Sequence, residues 1–149
     1  MNPLVRRYLR TAIAFLVIGL ALGVWMMYAR EFGAYQPPRI RSAHTHALLV
    51  GFVMLMITGV ALWMFPRPRA DDQVFRPVLA EIAWWAIALG TLSRVMLEVL
   101  LRANASVGWR SVLVGAGVLQ AAGIVLFFAT MWTRIRSSGA KLPASERVP

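Results

Sequence analysis

The chain contains two histidines, His44 and His46, and they are its strongest candidates for chemistry. Both lie at the beginning of an apolar stretch that runs from Ala43 to Phe65. Imidazole is a common ligand of transition metals. The chain has no cysteine, which excludes disulfides, thiolate metal sites and covalently attached c-type haem. Any cofactor must therefore be held by histidine, methionine or carboxylate.

The spacing of the two histidines predicts that they point in opposite directions. Successive residues of a helix rotate by about 100°, so His44 and His46 are separated by about 200°. A single regular helix cannot direct both imidazoles at one metal ion. The side below His44 carries Gly51 and Gly59, where another backbone or a flat group could approach closely. The side below His46 carries apolar residues typical of a packing or lipid-facing surface.

Composition and hydropathy predict an all-α integral membrane protein that forms a four-helix bundle. The chain is 59% hydrophobic with a mean hydropathy of +0.64, which is too apolar for a soluble domain of 149 residues. Four stretches are long enough to cross a hydrocarbon layer of about 30 Å. We expect helices at about 9–29, 43–65, 78–101 and 109–132, within one transmembrane domain over 1–141. A disordered tail is expected at 142–149.

The distribution of arginine and lysine predicts the orientation of the chain. These residues are more frequent in the N-terminal segment, the second connection and the C-terminal tail than in the other two connections. Both termini should therefore be cytoplasmic, and the histidines should lie near the outer face of a bacterial cytoplasmic (inner) membrane. The net charge of +10 is best explained by topology and anionic lipid headgroups, and nucleic acid is not expected as a partner.

The third apolar stretch contains two charged residues, Arg94 and Glu98, in its second half. A charged residue at the centre of a membrane helix costs about 2.5 to 3.5 kcal/mol on insertion scales, so a reason for their presence is needed. Their i, i+4 spacing places them on one face, where they can pair with each other. The alternative is that Arg94 binds an anionic group of a cofactor.

The residues around His44 resemble a known motif. Arg41-Ser-Ala-His44-Thr45, followed by an apolar helix that closes on Phe65-Pro66, resembles helix two of the catalytic subunit in bacterial nitric oxide reductases and C-family haem-copper oxidases. The resemblance implies that His44 is an axial ligand of a low-spin b-type haem and that His46 is not a ligand. It covers about one helix in four. The binuclear centre of those families needs further histidines, and this chain has none.

Together these observations predict a membrane protein that binds haem b. His44 would supply the axial imidazole, and the groove at Gly51 and Gly59 would receive the macrocycle. Arginines near the same end would bind the two propionates, since the planar guanidinium can bond both carboxylate oxygens. The candidates are Arg39, Arg41 and Arg94, of which Arg41 and Arg94 are preferred. Electron transfer or binding of nitric oxide or another small gas would be its role, and turnover by this chain alone is not expected.

Several alternatives remain open from the sequence. The sixth haem ligand could be His44 of a second subunit in a homodimer, a methionine such as Met96, or absent, which would leave a gas-binding position. His44 could instead pair with Glu98 without any cofactor. His44 and His46 could bind copper together with nearby methionines. Finally, the chain could be a cofactor-free accessory subunit of a respiratory complex, in which case replacing His44 would change nothing visible.

Overall fold

The computed structural model describes residues 2–65, 76–101 and 105–134, which form four long helices. Each is long and apolar enough to cross a membrane, and the described ranges contain no strand, so the predicted all-α membrane fold is confirmed. The connection that starts at Pro66 and the predicted tail at 142–149 lie outside the described residues. The helices are α1 (Pro3–Phe32), α2 (Ile40–Met64), α3 (Pro77–Leu100) and α4 (Val107–Met131), and the short turn Trp132–Arg134 follows α4.

Helix α1 begins about two turns earlier than its apolar stretch. Asn2 caps it, because its side-chain oxygen accepts a hydrogen bond of 2.9 Å from the backbone N–H of Leu4, and Pro3 occupies the first helical position. The helix ends at Gly33, whose φ of 66° is a left-handed conformation that glycine adopts without strain. The basic residues before the apolar stretch are therefore helical.

Helix α2 is not a uniform α-helix, although the sequence predicts one. Its first turns, Ile40–His46, and its second half, Leu55–Met64, are α-helical, while Ala47–Met54 between them is a π-helix. The wider turn begins directly after His46. Segments of π-helix are rare and often accompany functional sites, so this irregularity is consistent with a site at the start of α2.

Helices α1 and α2 pack closely because glycines of each helix face side chains of the other. A methyl group added at Gly51 would overlap the ring of Phe15, and one added at Gly59 would lie 2.9 Å from Cβ of Tyr8. The reverse contact also occurs, because a methyl group added at Gly19 of α1 would overlap the side chain of Leu48 of α2. The glycine-bearing face of α2 is therefore covered by α1.

Two apolar clusters stabilise the two ends of the bundle. At the terminal end, where α1 begins and α4 ends, all four helices contribute, and the buried Tyr8 hydroxyl donates a hydrogen bond of 2.7 Å to the carbonyl of Ala80. At the histidine end, where α2 begins, the smaller cluster comes from α1, α2 and α3. The buried members are Tyr8, Ala12, Phe15, Leu55, Ala83, Ile87, Phe127 and Met131 at the terminal end and Ala43, Ala47 and Val95 at the histidine end.

Helix α4 packs mainly on α3, and it does so at very short range near Gly90. A methyl group added at Gly90 would lie 2.7 Å from the backbone nitrogen of Gln120 and 2.9 Å from the carbonyl oxygen of Ala116. The buried Gln120 side chain also donates a hydrogen bond of 3.1 Å to Thr91. Toward the histidine end, residues 106–112 of α4 and its N-cap are exposed.

Replacing Gly90 by alanine should destabilise the α3–α4 contact. The added methyl group meets backbone atoms that cannot rotate away, so we expect a loss of about 1–3 kcal/mol in unfolding free energy. Gly115→Ala is the matched control, because nothing lies within 4 Å of a methyl group there. Denaturation of both variants in mixed micelles would measure the difference. Equal unfolding midpoints would contradict the observed packing.

Candidate functional site

The imidazole of His44 is oriented by the backbone of α1. Its Nδ1 lies 2.9 Å from the carbonyl oxygen of Gly19. Since a carbonyl only accepts hydrogen bonds, Nδ1 must carry a proton, and in the neutral imidazole Nε2 then has the lone pair. Metal-binding histidines commonly donate the second ring N–H to a backbone carbonyl in this way, which fixes the tautomer and the ring orientation. The Nε2 of His44 has no hydrogen-bond partner within the described residues.

A glycine of α1 makes room for the His44 ring. A methyl group added at Gly23 would lie 2.9 Å from Cε1 of His44, which is too short, and 3.3 Å from its Nδ1, which is a tight contact. The imidazole can therefore lie directly against the α1 backbone. Sequence reasoning missed this position, although Gly19 and Gly23 form a Gly-x-x-x-Gly pattern, which is a known signal for close packing of membrane helices.

His44 lines a cleft of about 480 Å³ between α1 and the start of α2. Two polar lining residues already have partners there: Arg30 pairs with Glu31 at 2.9 Å, and Gln36 donates to the carbonyl of Met26 at 3.0 Å. Arg41 is exposed, and no carboxylate within the described part of the chain forms an ion pair with it. The cleft is lined by Gly23, Met26, Met27, Arg30, Gln36, Arg41 and His44.

His46 lies on the other side of α2, in a polar cluster with Ser42, Arg94 and Glu98. The Glu98 side chain is only 3% exposed. Its Oε1 accepts hydrogen bonds from Ser42 Oγ at 2.8 Å and from Arg94 Nε at 3.1 Å. The Nδ1 of His46 donates to the carbonyl of Ser42 at 2.9 Å and lies 3.7 Å from Glu98 Oε2. This polar cluster joins α2 to α3.

The contacts of the polar cluster test two predictions made from the sequence about the partner of Glu98. The predicted pairing of Arg94 with Glu98 is confirmed, because the two side chains form an i, i+4 ion pair. The alternative pairing of His44 with Glu98 is wrong, because His46 is the histidine that faces this carboxylate. The reason is the rotation of about 200° between the two histidines, which directs one to α1 and the other to α3.

The three arginines predicted to bind propionates have different surroundings. Arg41 lines the cleft with His44. Arg94 is held by Glu98 and lies against α4, since a methyl group at Gly117 would be 2.9 Å from its Nη1. Arg39 is partly buried, and its Nη1 has no hydrogen-bond partner within the described residues. Only Arg41 of the three is shown beside His44.

The predicted groove at Gly51 and Gly59 has different neighbours from those expected. Phe15 fills the space at Gly51, and Tyr8 with Leu9 fills the space at Gly59. The open space beside His44 instead lies at Gly23, closer to the histidine end of the bundle. The suggestion that Gly51 and Gly59 receive a macrocycle stays a prediction, and the observed packing gives it no support.

Comparison with known proteins places the chain in a family. Residues 3–146 match the family model described as Cytochrome C and Quinol oxidase polypeptide I, which is subunit I of the haem-copper oxidases. The chain belongs to this family. Its four membrane-spanning helices fit a subunit-I-like protein, as the resemblance around His44 implies. No curated protein and no solved structure matches the chain significantly.

The subunit I family binds haem and copper in general. In this member of the family, the two histidines face different helices. His44 contacts α1 and His46 contacts α3, so one ion held by both imidazoles is not favoured. Residues 2–65, 76–101 and 105–134 contain no group of three or more histidines and carboxylates that could hold a metal ion.

Removing the positive charge of Arg94 should destabilise the protein strongly. In Arg94→Met the buried Glu98 carboxylate loses its ionic partner, and breaking a buried pair on one side typically costs about 3–5 kcal/mol. Arg7→Met is the matched control, because Arg7 pairs with Glu81 at side-chain exposures of 52% and 45%, where an ion pair contributes about 0–1 kcal/mol. Thermal unfolding in detergent should separate the two variants clearly; similar losses would show that burial of Glu98 does not matter.

Proposed function

We propose that the chain binds a b-type haem through Nε2 of His44 and serves in electron transfer or in binding a small gas such as nitric oxide. The hydrogen bond from Nδ1 to the carbonyl of Gly19 carries this proposal, because it leaves Nε2 as the free ligand atom beside an open cleft. Membership of the haem-copper oxidase subunit I family, which binds haem and copper in general, also supports the proposal.

The other residues around the cleft fit the remaining requirements of a haem. Gly23 offers a surface without a side chain next to the imidazole, and Met26 and Met27 supply apolar walls. Arg41 has the charge and the planar donor group to bind a propionate. The cleft of about 480 Å³ is within the range of roughly 300–1,000 Å³ that is usual for ligand sites. A bound haem would supply one-electron chemistry or an iron atom that can bind a gas.

Residues of this chain would orient the imidazole that binds such a haem and would supply the charge that binds its propionates. The carbonyl of Gly19 holds the imidazole ring and fixes its tautomer. Reduction of oxygen or nitric oxide in the related families requires further histidines, and the chain has only His44 and His46. We therefore propose a haem-binding membrane protein that exchanges electrons with a respiratory partner or binds a gas, without turnover of its own.

The location of the site follows from the proposed topology. If both termini face the cytoplasm, α2 begins at the outer surface of the bacterial cytoplasmic membrane, and the cleft with His44 and Arg41 lies near that surface. A haem placed there would be reachable by an electron-transfer partner on the outer side. Reporter fusions to each terminus would test the topology independently of haem.

Absorption spectra should show a b-type haem that depends on His44 and not on His46. The purified protein would be measured oxidised, reduced with dithionite, and after addition of nitric oxide. We expect the haem bands to be lost in His44→Ala and kept in His46→Ala, since only His44 directs a free ring nitrogen to the cleft. A colourless wild type, expressed with haem supplied, would overturn the proposal and favour copper or a cofactor-free accessory subunit, which metal analysis would distinguish.

Replacing Gly23 by alanine should weaken haem binding without unfolding the protein. The added methyl group would push the His44 ring away from α1 and disturb its bond to Gly19. Changes to groups that orient a ligand typically weaken affinity by roughly 10–100-fold. Haem titration of the apoprotein would measure this, with Gly115→Ala as the control for a harmless glycine replacement. If Gly23→Ala bound haem with unchanged affinity, the haem would not be bound in this cleft.

A further inference from the structure

The cleft contains one imidazole, and the chain cannot bring its other imidazole there. His46 is held on the opposite side of α2 by its hydrogen bond to Ser42 and its position next to Glu98. A haem bound to His44 therefore receives no second histidine from the same chain. An electron-transferring b-type haem commonly has two axial imidazoles. The site would therefore have both imidazoles only if another molecule supplied the second.

The shape of the cleft leads to the same conclusion. Its walls come from α1, the connection after it and the start of α2, while α3 and α4 contribute no lining residue. Within the described residues, the chain thus provides one side of the site. The outer half of α1 next to it is exposed and apolar, with Val24 at 62%, Trp25 at 44% and Tyr28 at 48%. A second protein surface can approach the cleft along this helix.

We propose that a second copy of the chain completes the site, so that two His44 residues hold one haem between them. This inference rests on the proposed function. Two subunits related by a two-fold axis contribute the same residues to the site. The core of haem has a similar symmetry, because a two-fold axis in the plane of the ring exchanges its two faces and its two propionates. One His44 then binds each face of the iron, and the site becomes six-coordinate.

The charges of the cleft agree with this arrangement. Each chain contributes one arginine, Arg41, that lines the cleft and has no ion pair within the described residues. Two copies bring two such arginines, one for each propionate. Both propionates leave the same edge of the ring, along the two-fold axis. With that axis normal to the membrane, both subunits would have the same orientation, and the propionates would point to the side on which the two Arg41 residues lie.

The competing ligand within a single chain is methionine. Met26 and Met27 line the cleft together with His44, whereas Met96, the methionine considered from sequence, is on α3 and does not. Histidine–methionine coordination would allow one haem in each chain and would raise the reduction potential relative to two histidines. The two arrangements therefore differ in stoichiometry, in oligomeric state and in spectrum.

The first measurement is the haem-to-protein ratio of the full-length wild type in mild detergent, together with its mass by light scattering and its electron paramagnetic resonance spectrum. We expect one haem per two chains, a dimer, and a low-spin signal typical of two imidazoles. A monomer with one haem per chain would overturn the shared site. A low-spin haem that changes in Met26→Leu or Met27→Leu would do the same and would assign the sixth ligand to methionine.

A mixed dimer provides the sharper test. Wild-type and His44→Ala chains with different tags would be co-expressed and purified over both tags, so that each complex contains one histidine ligand. We expect its haem to change from low-spin to high-spin and to bind nitric oxide or carbon monoxide readily. A mixed dimer of wild type and His46→Ala is the control and should stay low-spin. A low-spin haem in the His44→Ala mixed dimer would overturn the proposal.

These outcomes separate this inference from the proposed function. If the wild type binds no haem, both fail. If it binds one haem per chain through His44, the proposed function stands and only the shared site is wrong. A five-coordinate haem in the wild type, one in each chain, would likewise reject the shared site and favour gas binding.

Discussion

The structure depends on the close approach of α1 and α2, which glycines on both helices permit. Gly19 and Gly23 of α1 face Leu48 and His44 of α2, while Gly51 of α2 faces Phe15 of α1. Each helix therefore has glycines against which side chains of the other helix pack. Between apolar helices in lipid, where water does not drive association, such close packing is a main source of stability. The orientation of His44 is a product of this contact.

The polar cluster secures α2 on its other side. Ser42 and His46 face Glu98 of α3 within a few residues of the point where His44 meets α1. The start of α2 is therefore held between two neighbours: α1, through close packing and the hydrogen bond from His44 to Gly19, and α3, through hydrogen bonds and charge. Because both contacts occur within the same two turns, rotation of α2 about its axis would break both. The direction of Nε2 is fixed as a consequence.

The sequence predicts those features that depend on local periodicity. The four spans, the divergence of His44 and His46 and the pairing of Arg94 with Glu98 all follow from composition or from the angle between helical residues. Features that depend on which helices meet were not predicted in this way. Gly23 as the neighbour of His44 and Phe15 as the neighbour of Gly51 require knowledge of the α1–α2 register, and the π-helix at Ala47–Met54 has no clear sequence signal.

The position of Glu98 and Arg94 on one helix has a consequence for how the protein enters the membrane. The i, i+4 pair can form within α3 alone, as soon as that helix exists, so the two side chains can pair before α3 packs against any other helix. A carboxylate whose cationic partner was on α2 would have to cross the translocation machinery unpaired. Ser42 and His46 are needed only afterwards, when α2 and α3 meet. The buried charge is thus compatible with insertion of the helices one at a time.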